Sequence, residues 1–303
     1  MKTLVRLLLV AAAGLAIYFY ALPVVLGTGW AVSMKLRGRA ADCPWPRVVT
    51  AYRTINQFGQ IHDRAKADVS VVEEDRERGL QLVASHGGRF WVQRGSQGNA
   101  YLFAEHAWID ERLPEAKVRP GQIVIDVGAH AGVFVYKALR DGAGKVVAIE
   151  PDPMNLECLR RNFAKEIAAG RVILVPEGAW NKPGTMTLHL GKSSGWNSMV
   201  LDRGSSSIEV PVRRIDDMVR ELALPRVDYI KIDIEGAERY ALEGAMETLK
   251  TWRPRLLIDS YHLPDDGEVL PPLIRRSHAD YRTVCGPCEP MHGRLVPHVT
   301  LYQ

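Results

Sequence analysis

The sequence predicts an open α/β fold, a mainly parallel sheet covered by helices on both faces. Two observations predict it. From residue 121 onward, short apolar runs rich in β-branched residues alternate with stretches of helical periodicity. Several of these runs also end in acidic residues, at the strand ends where open α/β sheets bind their ligands.

Seven strands are predicted for this sheet. They are Gln122–Val127, Val146–Glu150, Val172–Pro176, Val227–Ile232, Arg255–Asp259, Tyr281–Val284 and Val296–Tyr302. The helices between them are predicted at Gly132–Arg140, Pro153–Ala168, Ile215–Leu222 and Gly236–Trp252. Gly184–Leu190 and Ile208–Val212 indicate a hairpin inserted before the fourth strand.

Residues 40–120 are predicted to form a separate extension. Cys43–Pro46 reads as a stiff linker, because its two prolines disfavour helix. The expected elements that follow are a polar helix over Arg47–His62, a charge-rich connector or short helix over Asp63–Gly79, a hairpin of Gln81–Ser85 and Arg89–Arg94, and a helix over Ala100–Glu111.

The amino terminus predicts a membrane helix. Leu7–Leu26 is a run of 20 residues without a charge, and a helix of that length spans ~30 Å, one hydrocarbon core. Basic residues flank the run on both sides, Lys2 and Arg6 before it and Lys35, Arg37 and Arg39 after it. A cleaved secretory signal and a buried core helix are the alternatives.

Composition excludes several classes of protein. With 47% hydrophobic and 24% charged residues, the chain is neither a disordered tail nor a collagen-like repeat. A formal net charge of +4 is too small for a protein whose main partner is nucleic acid. Four cysteines are too few for a disulfide scaffold, so reduced thiols are expected.

The first candidate site follows the first strand of the sheet. Asp126 ends that strand, and Gly128, Ala129, His130 and Gly132 lead into the next helix. The glycines let a ligand approach the backbone, while the dinucleotide fingerprint G-x-G-x-x-G is absent. An acid at this position favours a ligand that carries a positive charge. The alternative is an ordinary strand-to-helix turn with a capping aspartate.

The second candidate site follows the next two strands. Glu150 lies 24 residues after Asp126, where an acid accepts hydrogen bonds from ribose hydroxyls in nucleotide-binding α/β folds. Pro151 and Asp152 continue this segment. Glu177 and Gly178 follow the third strand and are candidates for the adenine edge, although Glu177 also suits a solvated strand end.

The third candidate site is acidic. Asp233 closes the fourth strand, and Glu235 and Glu238 are three residues apart at a helix start. First-turn acids can simply compensate the helix dipole. Three carboxylates at one strand end nevertheless favour a catalytic role, with a proton or a cation to handle. His262 is a further candidate for the base or for substrate hydroxyl binding.

Together these segments resemble the FkbM-type family of class I S-adenosylmethionine-dependent methyltransferases. The matching segments are Asp126–Gly132, Ala148–Asp152, Arg214–Asp217, Lys231–Glu238 and Arg253-Pro254. The resemblance implies a seven-stranded Rossmann-like sheet whose last strand is antiparallel, and methyl transfer to a hydroxyl oxygen. It also implies that Asp126, Gly128 and Gly132 line the loop that binds S-adenosyl-L-methionine and that Glu150 holds its ribose.

The expected protein is therefore a membrane-anchored O-methyltransferase. The expected acceptor is a small-molecule or lipid-linked hydroxyl, on a sugar, glycolipid or related metabolite, and no nucleic acid is expected as a partner. Residues 1–30 would be the anchor, residues 31–114 a basic juxtamembrane linker and extension, and residues 115–303 the catalytic domain on the cytosolic face. A nicotinamide-dependent oxidoreductase and a catalytically silent membrane scaffold are the alternatives.

One further motif is Cys285-Gly286-Pro287-Cys288, which resembles a thioredoxin active-site tetrapeptide. Its position after the sixth strand, with Pro290 close behind, argues against that role. With His292 and His298 it has the C-x2-C-x3-H-x5-H spacing of a possible zinc site. A plain loop is preferred, and no metal is predicted.

Overall fold

The computed structural model describes residues 18, 21–85, 87–95, 98–202 and 206–303. Its N-terminal part is helical, with α1 at Leu22–Leu36 and α2 at Trp45–Asp68. α2 begins directly after Pro44 and carries Pro46 in its first turn, where the missing N–H has no helical partner. The linker predicted to exclude helix is therefore shorter than expected.

The predicted membrane localisation needs correction. Within the ranges that the structure describes, no helix is both long enough and apolar enough to cross a membrane. α1 has 15 residues, fewer than the ~20 of a span, and its buried Ala31 and Met34 pack in one cluster with Val48 and Leu295. Most of the predicted span Leu7–Leu26 lies outside the described residues. A lipid-linked acceptor was expected only because of that anchor, so it is not proposed.

A small antiparallel sheet follows the two helices. It consists of β1 (Ser70–Asp75), β2 (Leu80–Ser85) and β3 (Gly88–Gln93), and α3 (Gly98–Arg112) comes after it. The predicted hairpin is confirmed, whereas the charge-rich connector contains strand β1. β1 is mostly exposed and shows no apolar alternation, so its sequence carries no strand signal.

The remaining strands belong to the main sheet and its satellites. They are β4 (Ile123–Val127), β5 (Lys145–Ile149), β6 (Val172–Val175), β7 (Gly178–Ala179), β8 (Gly184–Leu190), β9 (Ser206–Arg213), β10 (Tyr229–Ile232), β11 (Arg255–Asp259), β12 (Thr283–Cys285), β13 (Cys288–Met291), β14 (Arg294–Pro297) and β15 (Val299–Tyr302). The main sheet has the order β12-β15-β11-β10-β4-β5-β6, and β15 is antiparallel to both of its neighbours. This topology confirms the predicted class I methyltransferase-like sheet.

Helices cover both faces of this sheet. They are α4 (Val133–Arg140), α5 (Pro153–Asn162), α6 (Ala164–Ala168), α7 (Ile215–Glu221), α8 (Glu238–Glu243), α9 (Met246–Trp252) and α10 (Asp266–Arg275). Two predicted helices are each divided in two. One division falls at Gly244, where a Cβ atom would lie 2.0 Å from the Trp180 carbonyl oxygen. α10 was not predicted, because Pro271 and Pro272 lie inside it.

The core is formed on the two faces of the sheet. Successive residues of β4 alternate between two buried clusters, Val124 in one and Ile125 in the other. The first cluster also contains Phe90 of the small sheet, so the N-terminal extension is packed on the main sheet. The predicted domain boundary at residue 114 falls between α3 and β4, and it stays a prediction.

A disulfide joins the N-terminal helices to the C-terminal strands. Cys43, in the loop between α1 and α2, is bonded to Cys288 at the start of β13. The expectation of reduced thiols is therefore wrong for this pair, while Cys158 and Cys285 are free. The candidate zinc site of Cys285, Cys288, His292 and His298 is not assembled either. His292 contacts the Tyr261 carbonyl, and His298 contacts two glutamates.

Candidate active site

The loop after β4 lies against the loop after β10. Gly128 has a φ of 82°, and a Cβ atom there would lie 2.1 Å from the Asp233 carbonyl oxygen. Only glycine combines this backbone conformation with so close an approach. The two predicted sites, on β4 and on β10, are thus brought together at one sheet edge.

Asp126 is fully buried beneath this loop. Among the described residues, neither of its carboxylate oxygens has a hydrogen-bond partner, and the Lys231 ammonium is 3.7 Å from Oδ1. Burial raises the pKa of Asp126 to about 7, although Lys231 opposes the shift. Buried acceptor oxygens without donors fit a ligand that brings donors and positive charge.

Glu150 holds the loop from the neighbouring strand end. The backbone N–H groups of His130 and Asp152 donate to its two carboxylate oxygens, at 2.8 and 2.9 Å. Burial and then the Asp152 charge raise the pKa of Glu150 to about 7. His130, with a φ of 51°, also places its Nε2 atom 2.7 Å from the Ser194 hydroxyl.

A narrow cavity runs along these strand ends, and it is the candidate cofactor cavity. Its lining includes most of the predicted cofactor residues: Asp126, Gly128, Ala129, His130, Glu150, Pro151, Gly178 and Asp233. Three predicted residues do not line it. Asp152 caps α5 and accepts hydrogen bonds from Gln93 and Asn197, Glu177 pairs with Arg213, and Gly132 makes room for the Phe163 ring.

The acidic residues form a cluster with His262. Glu238, the first residue of α8, is fully buried, and its Oε1 atom accepts from the Ile234 N–H and lies 2.9 Å from His262 Nδ1. The other ring nitrogen, Nε2, lies 3.7 Å from carboxylate oxygens of both Asp233 and Glu235. The structure therefore brings all four predicted catalytic residues together.

The charges in this cluster are strongly coupled. Burial disfavours the imidazolium of His262, but the three surrounding carboxylates, Glu238 first, raise its pKa to about 10. Burial likewise opposes ionisation of Asp233, yet the Lys231 ammonium, 3.2 Å from Oδ2, and then His262 lower the pKa of that carboxyl. Asp233 is consequently an ionised carboxylate.

A second cavity of about 450 Å³ opens beside the first, and we call it the acceptor cavity. Its aromatic lining comprises Tyr101, Trp196 and Tyr261, and its acidic lining comprises Glu105, Asp233 and Glu235. Asp233 and Glu235 line both cavities. The volume is typical of sites for small organic ligands.

The wall of the acceptor cavity is held by a buried histidine. His298 of the segment before β15 lies 2.7 Å from Glu105 and 2.5 Å from Glu289, and the Tyr261 ring stacks on it. Burial disfavours its charged form, but these two glutamates raise the pKa of His298 well above its usual range. The N-terminal extension is thereby joined to the C-terminal strands at the cavity.

Sequence reasoning missed several lining residues. Lys231 carried a signal, since a lysine inside the apolar run Tyr229–Ile232 costs free energy unless a partner meets it. His106 lines the cofactor cavity from α3, and burial lowers its pKa to about 3. Neither His106 nor Tyr101 belongs to a motif, so no local signal marks them.

Comparison with known proteins agrees with this geometry. The methyltransferase FkbM domain matches residues 126–283, a little more than half of the chain. The chain belongs to the FkbM methyltransferase family. Its cofactor is S-adenosyl-L-methionine, and the nicotinamide-dependent alternative is wrong.

Three curated relatives are similar to this chain. Methyltransferase sdnD of Sordaria araneosa is 25% identical, over 50% of this chain and 73% of the relative. The 31-O-demethyl-FK506 methyltransferase FkbM of Streptomyces tacrolimicus is 29% identical, over 51% and 71%. The 2-O-methyltransferase NoeI of Sinorhizobium fredii is 26% identical, over 45% and 62%. Among solved structures, methyltransferase FkbM of Methylobacillus flagellatus KT superposes with a TM-score of 0.46 at 19% identity, covering 85% of this chain and 62% of that one.

Proposed function

We propose that this methyltransferase acts on a hydroxyl oxygen of a small sugar or related polyol bound in the acceptor cavity. The observation that carries the proposal is that Asp233 and Glu235 line the cofactor cavity and the acceptor cavity at once. A carboxylate therefore lies where an acceptor must meet the cofactor. The names of two relatives, a 31-O-demethyl-FK506 methyltransferase and a 2-O-methyltransferase, support oxygen as the methylated atom.

The cofactor residues of this chain fit S-adenosyl-L-methionine. When bound, that group supplies a methyl carried on a positively charged sulfur. Asp126, with its unpaired buried oxygens, would hold the amino group. Glu150 accepts two hydrogen bonds at Oε1 and one at Oε2, so Oε2 could accept a further one from a ribose hydroxyl. Gly128 and His130 shape the backbone between them.

Asp233 is the proposed proton acceptor. It is ionised, it is only part-buried, and one of its oxygens is held by Lys231, so the carboxylate has a fixed orientation. A hydroxyl that reacts as a nucleophile must lose its proton, and a positioned carboxylate can take it. Glu238 and His262 act behind this group by fixing the geometry of the cluster.

The lining of the acceptor cavity supports a polyhydroxylated ligand. The faces of Tyr101, Trp196 and Tyr261 can cover the C–H surface of a sugar ring, because an aromatic face is apolar and carries partial negative charge. Glu105 and Glu235 add carboxylate oxygens, which accept hydrogen bonds from hydroxyls.

The test is methyl transfer by the purified full chain to a panel of sugars and polyols, read by product mass and by the position of the new methyl ether. Asp233→Asn should lower kcat about a hundredfold or more, as expected for loss of a general base. Asp280→Asn, an exposed residue paired with Arg253, is the matched control and should behave like the wild type. Methylation of nitrogen or carbon atoms only, or full activity of Asp233→Asn, would contradict the proposal.

A further inference from the structure

His262 has one ring nitrogen that the structure leaves without a hydrogen bond. Its side chain is 2% exposed, and among the described residues Nε2 has no hydrogen-bond partner. The ring cannot turn away, because Nδ1 is held 2.9 Å from the buried Glu238 carboxylate. Buried polar atoms in proteins are nearly always satisfied, so an unsatisfied nitrogen aimed into a site indicates a missing partner.

Nε2 is aimed between two carboxylates. It lies 3.7 Å from Asp233 Oδ1 and 3.7 Å from Glu235 Oε1, and the three ligand atoms are all within 4.8 Å of one another. An N–H donating to either oxygen would lie at about 2.7–2.9 Å instead. Separations longer than a hydrogen bond, but shorter than twice a metal–ligand bond of ~2.1 Å, suit ligands that share one ion.

The surroundings of these three residues also fit a metal ion. A histidine that binds a metal through one ring nitrogen usually donates its other N–H to a carboxylate, which is the position of Glu238. Glu235 has a φ of 53°, in the left-handed region that is unfavourable for a non-glycine residue. Lys231 neutralises the other oxygen of Asp233 and leaves Oδ1 facing His262.

We propose that Asp233, Glu235 and His262 bind one divalent cation, and that this cation binds the acceptor through its reactive hydroxyl and a neighbouring oxygen. The inference rests on the proposed function and departs from the sequence prediction of no metal. One imidazole and two carboxylates form a mixed donor set that suits Mn²⁺, with Zn²⁺ as a competitor. The favoured acceptors are then those with two adjacent oxygens, such as a vicinal diol.

A cation at this position would solve a chemical difficulty of the active site. Oδ2 of Asp233 lies 3.2 Å from the Lys231 ammonium, so a cation on Oδ1 would leave Oδ2 as the oxygen that can take a proton. A bound divalent ion would lower the pKa of the acceptor hydroxyl that it coordinates, so Oδ2 of Asp233 could take the proton although Lys231 lies beside it. The ion would lie at the junction of the two cavities, because two of its ligands line both.

The test measures Mn²⁺ binding directly, by loss of the free-ion electron paramagnetic resonance signal on titration into chelator-treated full-length protein. The wild type should bind one Mn²⁺ per chain, displaced by Zn²⁺. His262→Gln and Glu235→Gln should weaken binding at least about tenfold. His278→Gln should not, because His278 is a half-buried histidine that lines neither cavity and contacts the Lys250 carbonyl. The circular dichroism spectrum, measured on each variant, shows that the fold is kept.

The outcomes separate this inference from the proposed function. If the wild type binds no more Mn²⁺ than His262→Gln does, or if Glu235→Gln and His262→Gln both bind like the wild type, the metal site is overturned. Stoichiometric Mn²⁺ binding without methylation of any hydroxyl would reject the proposed function and keep the metal site. Hydroxyl methylation that persists at full rate after metal removal would reject the role of the cation in binding the acceptor.

Discussion

The two sides of the active site are built in opposite ways. The cofactor side uses the ends of β4 and β5, which are adjacent in the sheet and close in sequence, and its main contacts join residues such as His130 and Glu150 that are 20 positions apart. The acceptor side is lined by residues of four separate segments: Tyr101 of α3, Trp196, the Asp233–Glu235 turn and Tyr261. The contact that supports its wall is between Glu105 and His298, which are 193 positions apart.

This difference determines how the residues on each side are constrained. On the cofactor side the predicted residues lie in a local turn and at parallel strand ends, so a short stretch of sequence constrains them. On the acceptor side the cavity depends on side chains from separate elements, most of them outside residues 126–283 or on loops. Changes on the acceptor side should therefore affect acceptor binding without affecting the cofactor.

The largest effect is expected where the two sides touch. Gly128→Ala places a methyl group 2.1 Å from the Asp233 carbonyl oxygen at a φ of 82°. Because the strained φ alone costs ~1–3 kcal/mol and the clash is with backbone, affinity for S-adenosyl-L-methionine should fall about a hundredfold or more. Calorimetric titration measures it. Gly184→Ala, which has open space and no strained φ, is the control. Equal affinity in both variants would mean that the loops do not meet at Gly128.

A smaller effect is expected from pH, on the cofactor side. Asp126 has a pKa of about 7 because of burial, so it is neutral below that pH and ionised above it. A cationic amino group requires the ionised form, and affinity for S-adenosyl-L-methionine should therefore fall about tenfold per pH unit below pH 7. Titrations from pH 5.5 to 8.5 test this, and Asp126→Asn should show a shallower dependence, with Glu150 still titrating.

Ionisation of Asp126 should strengthen cofactor binding but destabilise the cofactor-free folded state. In the cofactor-free protein the folded state keeps a proton on Asp126 that the unfolded chain releases near its ordinary pKa of 3.8. The free energy of unfolding should therefore decrease as pH rises from about 4 to about 7. A cofactor affinity that is constant across the whole range would show that Asp126 does not face the charge of the cofactor.

The smallest effect is expected from an acceptor-side ring. Trp196 is 51% exposed and lines the acceptor cavity, so Trp196→Ala should leave the fold intact. Loss of one stacking contact worth ~0.5–1.5 kcal/mol should raise the acceptor KM about threefold to tenfold. The affinity for S-adenosyl-L-methionine should stay within about twofold, and Trp30→Ala, a similarly exposed tryptophan away from the cavities, should change neither value. If Trp196→Ala weakened cofactor binding as much as acceptor binding, the two sides would not be independent.

The same distinction explains what could be predicted from the sequence. Asp126, Gly128 and Glu150 were found because each lies in a turn that directly follows an apolar strand, and parallel strand ends meet at one edge. Lys231 was overlooked, although its charge within a buried strand was visible. The acidic cluster was found for the same local reason, but its contact with His262 requires the fold of residues 233–262.

The acceptor-side contacts and the disulfide could not be predicted, because the residues that meet there are distant in sequence. Tyr101 and Glu105 look like ordinary residues of a polar helix until the fold sets them opposite Tyr261 and His298. The pairing of Cys43 with Cys288 spans a separation of 245 residues, which no spacing rule specifies. The membrane interpretation is wrong because it rested on the length of an apolar run and on its basic flanks, while α1 continues to Leu36 and packs on protein.

The Cys43–Cys288 disulfide makes most of the chain a covalent ring. It closes residues 43–288 into a ring, and both cavities are built entirely from residues inside that ring. A single protease cut between these cysteines opens the ring but leaves one molecule, with α1 still tied to β13. In the chain-entropy description, closing a ring of this size limits the unfolded ensemble by about 5 kcal/mol. Nicked enzyme should thus reassemble as an intramolecular event, at a rate that does not depend on dilution.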